Sequence, residues 1–459
     1  MKYDILIVGS GPGGYVAAIR AAQLGRKVAL VERAEAGGVC LNWGCIPTKA
    51  LLKSAQVYAD CRAAAQYGVK IEGEVAPDLE AMVARSRGVA ETMSKGVQFL
   101  LKKNNIELIQ GFGRLAGPGR VEVDGTLYEA DHIILATGAR PRELPFMPVD
   151  GEHVITSKQA LTLTRLPRTM IVVGTGAIGS EFAWFFAALG VQVTVVEYLP
   201  RMMPLEDGEV SKTMERAFRK LRISVRTSTT VKQVTVNAED LCEVEVESKK
   251  GTETLTAEVV LSAVGIQANI EHIGLEEAGV AVERGKVVTD AFYRTNVAGV
   301  YAIGDIVGGP ALAHVASAEA ICCVEAICGL NPAPVDYATI PSCIFTTPEV
   351  ASVGLTEEQA QEQGIAYTTG RFPFTASGKA TAGGDRDGFV KLLFAEGDGR
   401  LLGAHMVGAH VTEMLAEPTL AKALGTTAHQ IARTIHAHPS MNEAMMEAAE
   451  AALGVAIHL

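Results

Sequence analysis

The chain has 459 residues, with 41 Lys and Arg against 52 Asp and Glu, a net charge of −11. Hydrophobic residues make up 48% and charged residues 20%, which excludes a largely disordered chain; at roughly 150 residues per domain the length allows about three domains. The acidic balance counts against a nucleic-acid partner.

Eight cysteines are too few for a disulfide-stapled secreted scaffold. Met1-Lys2-Tyr3-Asp4 runs straight into the apolar Ile5 to Val8, without the basic start and cleavage site of a signal peptide. The longest apolar stretch, Phe182 to Val196, is interrupted by Gly190, Gln192 and Thr194 and falls short of the roughly 20 residues of a membrane helix. A cytoplasmic enzyme with no membrane contact is expected, and any disulfide is expected to be catalytic rather than structural.

In chain order, the first element is the β-rich run Asp4 to Val8, which breaks into Gly9-Ser10-Gly11-Pro12-Gly13-Gly14. An Ala-rich helix, Tyr15 to Leu24, follows, with Gly25 placed as its C-cap. A second buried strand, Lys27 to Val31, ends at Glu32. The same order recurs in Met170 to Val173, Gly174, Gly176, Gly179, a helix Ser180 to Leu189, Gly190, a strand Gln192 to Val196, and Glu197. Both copies place the acid 23 residues after the first glycine. In a βαβ dinucleotide site the first glycine makes the turn and the second admits the pyrophosphate. The third lets helix and strand pack closely, and the acid accepts from the ribose 2′-hydroxyl. Two copies with equal spacing predict two dinucleotides. Glu197 would repel a 2′-phosphate, and Val193 to Met203 offers only Arg201 as a phosphate partner, so the second site is expected to prefer NAD to NADP.

Cys40 and Cys45, five apart, lie just after the first acid and can bridge if the chain bends or starts a helix between them. Pro47 fits the first turn of a helix, where the macrodipole would stabilise a Cys45 thiolate. Lys49 lies one turn further on. Pro141, Pro145, Pro148 and Gly151 read as one linker, and Asn331 to Pro341 as another. The last part mixes strands Phe389 to Phe394 and Leu401 to Val407 with helices Thr412 to Leu424, Thr427 to Thr434 and Glu443 to Glu450. Cys61, Cys242, Cys322, Cys323, Cys328 and Cys343 lack metal-ligand spacing and read as inert thiols; no metal is expected.

Gly37-Gly38-Val39-Cys40-Leu41-Asn42-Trp43-Gly44-Cys45-Ile46-Pro47-Thr48-Lys49 resembles the redox-disulfide motif of the flavin-dependent pyridine nucleotide–disulfide oxidoreductases. Ala136-Thr137-Gly138 resembles that family's short glycine motif, and Thr295 through Tyr301-Ala302-Ile303-Gly304-Asp305 its second flavin motif. Ala311-Leu312-Ala313-His314 follows, and His436-Ala437-His438-Pro439-Ser440-Met441-Asn442-Glu443 is similar to its C-terminal catalytic motif. The likeness runs from Tyr3 to about Ala452, and what it implies is an α/β fold of the glutathione-reductase type. Two Rossmann-like domains, for FAD and NAD, would precede a C-terminal α+β dimerisation domain. The expected divisions are 1–142 (FAD, first segment), 143–271 (NAD), 272–338 (FAD/central, second segment) and 339–459 (interface).

The resemblance also implies roles. Cys40 would be the outer thiol that exchanges with substrate sulfur, and Cys45 the inner thiol facing the flavin. Lys49 would sit near the flavin, paired with Glu181. His438 would be the base, oriented by Glu443, and supplied across the two-fold axis of a homodimer. FAD would be held by Gly9, Gly11, Gly14, Glu32, Lys49, Gly113, Ala136, Thr137, Gly138, Asp305, Ala313 and His314. NAD would be held by Gly174, Gly176, Gly179, Glu181, Glu197 and Gly265. Val264 to Asn269 lacks the Arg and Pro usual in relatives, which leaves only a backbone contact from Gly265. The activity implied is oxidation of protein-bound dihydrolipoyl groups with NAD⁺ as acceptor. The partners would be lipoyl domains of 2-oxo acid dehydrogenase or glycine cleavage components. Glu197 argues against a glutathione-directed relative, and Leu453 to Leu459, without a Cys pair, against a mercuric one. The intact Cys pair argues against a transhydrogenase or a non-catalytic flavoprotein.

Overall fold

The structure, a computed structural model, describes residues 2–459. Strands Glu107–Gln110, Val28–Glu32, Lys2–Val8, Thr126–Leu135 and Val300–Ala302 lie side by side and parallel. Ile5, Leu6, Ile7 and Val8 are all buried, because both faces are covered: Ile5 and Ile7 pack on helix residues such as Ala17, Val97 and Ala320, and Leu6 and Val8 on Leu115, Val121, Ile273 and Val287. Arg120–Val123 and Gly113–Leu115 extend this sheet antiparallel from Thr126–Leu135. A second parallel sheet has the order Ser224–Arg226, Gln192–Val196, Thr169–Val173, Val259–Ser262, Val154–Thr156. The first four strands of both sheets follow the same winding, so the repeat read in the sequence is a repeat of architecture. A three-stranded meander spans Thr230–Val236, Cys242–Ser248 and Gly251–Ala257.

Each unit turns on close backbone approaches. Gly9 (φ 101°) and Gly174 (φ 98°) lie against the carbonyls of Ala136 and Ala263, at the end of the neighbouring strand. A Cβ on Gly14 would overlap the Gly9 carbonyl, and one on Gly179 the Gly174 carbonyl. The middle glycines differ: a Cβ on Gly11 or Gly176 would meet nothing within 4 Å. The helices begin directly after them, at Pro12–Gln23 and Ala177–Ala188. Those starts are three residues earlier than the sequence pattern predicts. Glycine and proline read as turn residues, yet Pro at a helix's first position is preset for helical φ.

The last part is a five-stranded antiparallel sheet, ordered Pro341–Ile344, Glu349–Gly354, Leu401–Gly408, Phe389–Ala395, Tyr367–Pro373. Leu401–Gly408 and Phe389–Ala395 match the predicted strands to within a residue; the other three were not predicted. Helix Glu443–Ala452 lies so close over Tyr367–Pro373 that Gly370 has no room for a side chain beneath the Ala448 carbonyl. The predicted helix Thr412 to Leu424 is two helices, Val411–Met414 and Ala416–Ala423.

A buried ion cluster joins this sheet to the second unit. Lys391, 5% exposed, donates to Asp207 at 3.1 Å and to Glu357 at 2.5 Å. Burial works against the Lys391 charge, but the two carboxylates outweigh it and raise its pKa. Asp207 also caps helix Gly208–Lys220 through the Glu209 N–H.

The glycine geometry separates folding from binding. Gly179→Ala is expected to cost about 1–3 kcal/mol in urea denaturation, because the helix must lift off its strand. Gly176→Ala is expected to leave the unfolding midpoint unchanged and to weaken dinucleotide binding in calorimetric titration.

Candidate active site

Cys40 lies in the short helix Gly38–Asn42, and Cys45 opens the 19-residue helix Cys45–Ala63. Only Trp43 and Gly44 separate the two helices, so the chain bends between the sulfurs. Gly44 has φ −147° and ψ −113°, and a Cβ on it would press on the Val39 carbonyl at 3.1 Å. Both cysteines are free thiols, and each is the largest influence on the other's ionisation. Cys40 lowers the Cys45 pKa, and the Lys49 ammonium lowers it further. Together they outweigh desolvation and bring the Cys45 thiol down to about 7. Cys45 is accessible, yet enough protein surrounds it for desolvation to oppose ionisation. Its place at a helix N-terminus acts in the same direction as Lys49. Cys40 shifts the opposite way: Cys45 and then burial push its thiol up. In the reduced pair, ionisation is therefore favoured on Cys45 over Cys40.

One turn along the helix, Lys49 Nζ donates to both Glu181 oxygens at 2.9 and 2.8 Å. The Glu181 side chain is only 4% exposed and belongs to helix Ala177–Ala188 of the second unit. It also accepts from the Phe345 N–H at 3.0 Å, while Lys49 Nζ lies 4.6 Å from the Phe345 ring centroid. Three parts of the chain thus meet at one carboxylate. Phe345 was missed in the sequence because a backbone donor carries no residue signature.

His438 Nδ1 and Glu443 Oε1 are 2.8 Å apart, and the Ser440 N–H donates to Glu443 Oε2 at 2.8 Å. Burial would raise the Glu443 pKa, but the Ser440 N–H and His438 hold it below its usual value. The His438 side chain is 79% exposed, with Nε2 directed to no partner among the described residues. His436, the alternative in the same motif, is committed on both ring nitrogens, to Thr434 O and Glu417. The chain therefore forms two groups: Cys40, Cys45, Lys49 and Glu181 in one, His438 and Glu443 in the other.

The two acids expected to meet ribose are buried at the ends of their strands, Glu32 8% and Glu197 5% exposed. Arg201, the cation that Val193 to Met203 offers to a 2′-phosphate, is bound to Glu358 at 2.9 Å. Thr137 Oγ1 donates to Asn269 O at 2.6 Å, and Asn269 Nδ2 returns a bond to Thr137 O, which braces Ala136-Thr137-Gly138. Burial raises the Asp305 carboxyl pKa, and Lys286, which donates to the Asp305 backbone carbonyl, opposes the shift. Gly304, beside it, donates to the buried Glu319 at 2.6 Å. Ala313 begins helix Ala313–Ile327, and His314 Nε2 lies 2.9 Å from Pro341 O. Gly265 has φ 105° and its carbonyl accepts from the Arg142 N–H at 3.0 Å. Gly113 is buried against Val8 and Val31, which gives it a packing role. The open middle glycines, the buried acids and the helix starts fit two dinucleotides. No cluster suited to a metal occurs among the described residues.

Two nucleotide-binding turns, one beside a polarised thiol pair, define a nucleotide-dependent disulfide oxidoreductase. The chain belongs to the pyridine nucleotide-disulphide oxidoreductase family, whose models match residues 3–320 and, for the dimerisation domain, 340–449. It is 48% identical to the dihydrolipoyl dehydrogenase of Rhizobium etli, covering 99% of this chain and 98% of that one. To the dihydrolipoyl dehydrogenase of Bacillus subtilis it is 45% identical, covering 100% and 99%. The crystal structure of LpdA from Mycobacterium tuberculosis superposes with a TM-score of 0.90 at 28% identity, over 97% and 99% of the two chains.

Alkylation of the reduced protein tests the polarity of the pair. The Cys45 rate is expected to rise as pH passes about 7, and Lys49→Met is expected to move that midpoint upward, since the cation favours the thiolate. Mass-spectrometric mapping should place the label on Cys45 before Cys40.

Proposed function

We propose that this enzyme oxidises dihydrolipoyl groups, carried on lipoyl domains of 2-oxo acid dehydrogenase or glycine cleavage components, with NAD⁺ as final acceptor. FAD bound at the first unit would take the electron pair from the sulfurs and pass it as hydride to NAD⁺ at the second. The observation that carries this reading is the polarised pair: Cys45 lowered to about 7, Cys40 raised, beside the Lys49–Glu181 bridge.

In the oxidised enzyme, Cys40 and Cys45 would be joined. A substrate thiolate attacks Cys40 Sγ, breaks the Cys40–Cys45 bond and releases Cys45 as a thiolate. A leaving thiol of low pKa departs faster, which suits Cys45 to this role. The second substrate thiolate then displaces Cys40, closing the lipoyl disulfide and leaving two electrons on the cysteine pair. His438 Nε2 takes the substrate proton, while Glu443 holds Nδ1 and stabilises the imidazolium.

His438 is exposed on the C-terminal block, which supports its delivery to the cysteines of a second copy in a homodimer. Leu420, Leu424 and Ile435 are 61%, 72% and 96% exposed on the same block, apolar area that a second copy would cover. No helix of the described residues is long and apolar enough to cross a membrane; we place the enzyme in the cytoplasm. The proposed domains are 1–142, 143–271, 272–338 and 339–459, with FAD held by the first and third and NAD by the second.

Cys40→Ser and Cys45→Ser are each expected to abolish dihydrolipoamide–NAD⁺ turnover while the flavin absorbance stays with the protein; retained turnover would reject the thiol assignment. His438→Gln is expected to slow the dithiol half-reaction by about 10²–10⁴ in stopped flow. An unchanged rate would place the base elsewhere.

A further inference from the structure

Two hydroxyl residues with no role so far, Ser10 and Thr175, occupy one position in the two units, directly after the first glycine. Ser10 Oγ donates to Glu32 Oε2 at 2.6 Å, and the Ser10 N–H donates to the same oxygen at 2.9 Å. Thr175 Oγ1 donates to Glu197 Oε2 at 2.8 Å, and the Thr175 N–H donates to it at 2.9 Å. A third contact directs each hydroxyl proton. The Gly37 N–H donates to Ser10 Oγ at 3.2 Å, and the Met203 N–H to Thr175 Oγ1 at 3.3 Å. Each hydroxyl oxygen therefore accepts from the backbone and sends its proton to the carboxylate. The other acid oxygen takes one backbone N–H, from Ala34 at 2.9 Å in the first unit and from Leu199 at 3.0 Å in the second. Ser10 and Thr175 are both 0% exposed.

A carboxylate has about four lone-pair sites. Two on Glu197 Oε2 and one on Oε1 are filled, so one remains, on Oε1 and in a fixed direction. We infer that Thr175 is a positioning residue that sets the choice between NAD and NADP, by pinning Glu197 so that it presents a single acceptor to the adenosine 2′-hydroxyl. A loosely held carboxylate can rotate away from a 2′-phosphate; the pinned one cannot, and its charge stays opposed to that group. Ser10 holds Glu32 in the same way in the first unit. The inference rests on the reading that the second unit binds NAD.

The test is calorimetric titration of the FAD-loaded enzyme with NAD⁺, NADP⁺ and NAD⁺ lacking the adenosine 2′-hydroxyl. The wild type is expected to bind NAD⁺ more tightly than either analogue. Thr175→Val is expected to weaken NAD⁺ roughly three- to tenfold, the worth of one hydrogen bond. Binding of the 2′-deoxy analogue should be unchanged and the gap to NADP⁺ narrowed, and Thr175→Ser should restore the wild-type pattern. A wild type that does not distinguish NAD⁺ from its 2′-deoxy analogue overturns the inference. So does a Thr175→Val enzyme that loses affinity for both equally. Absent dithiol turnover with this binding pattern intact would strike the proposed reaction and leave the role of Thr175 standing.

Discussion

Everything in this molecule hangs on two places where a helix touches the strand before it too closely for a side chain. At Gly14 and Gly179 a Cβ would overlap the carbonyl of the first glycine of the turn. That contact aims each helix N-terminus along the open face left by Gly11 or Gly176, where backbone N–H groups and the helix dipole favour phosphate. It also sets the end of the second strand, and hence Glu32 and Glu197, relative to the turn. The turn's hydroxyl then locks the acid, so one steric constraint organises the whole ribose and phosphate site.

The redox pair is built on the same frame. Gly38 lies against Gly11, where an added Cβ would come within 2.6 Å of the Gly11 Cα, so the segment carrying Cys40 is seated on the phosphate turn of the first unit. Gly37 is tied to Ser10 by backbone and hydroxyl bonds. Cys45 then begins a long helix whose next turn carries Lys49. The charge of Lys49 is neutralised by Glu181, so the cation acts locally on the thiol. Because Glu181 also accepts from Phe345, the two units and the last sheet share one hydrogen-bonded junction beside the sulfurs.

The C-terminal block contributes differently. Its Lys391 cluster binds it to the second unit through charges that are buried and paired, where loss of one partner is costly. Its His438–Glu443 pair is poised on an exposed surface instead. A histidine with one nitrogen held and the other free would suit a site completed by a second chain.

Much of this was legible in the sequence, because it depends on residues close together in the chain. The strand–turn–helix units and the equal spacing of Glu32 and Glu197 follow from local backbone geometry, which a few glycines and charged residues dictate, while the pairing of His438 with Glu443 came from the resemblance. The Lys49–Glu181 bridge was legible only through resemblance, since 132 residues separate its ends. Pro341–Ile344, Glu349–Gly354 and Tyr367–Pro373 of the last sheet were hidden because Pro, Gly, Ser and Thr break up their apolar pattern. Ser10 and Thr175 could have been found by comparing the two copies, as both carry a hydroxyl after the first glycine. Phe345, the extent of the thiol polarisation and the commitment of Arg201 to Glu358 could not. These depend on desolvation and on distances between distant segments, and such quantities exist only once the chain has packed.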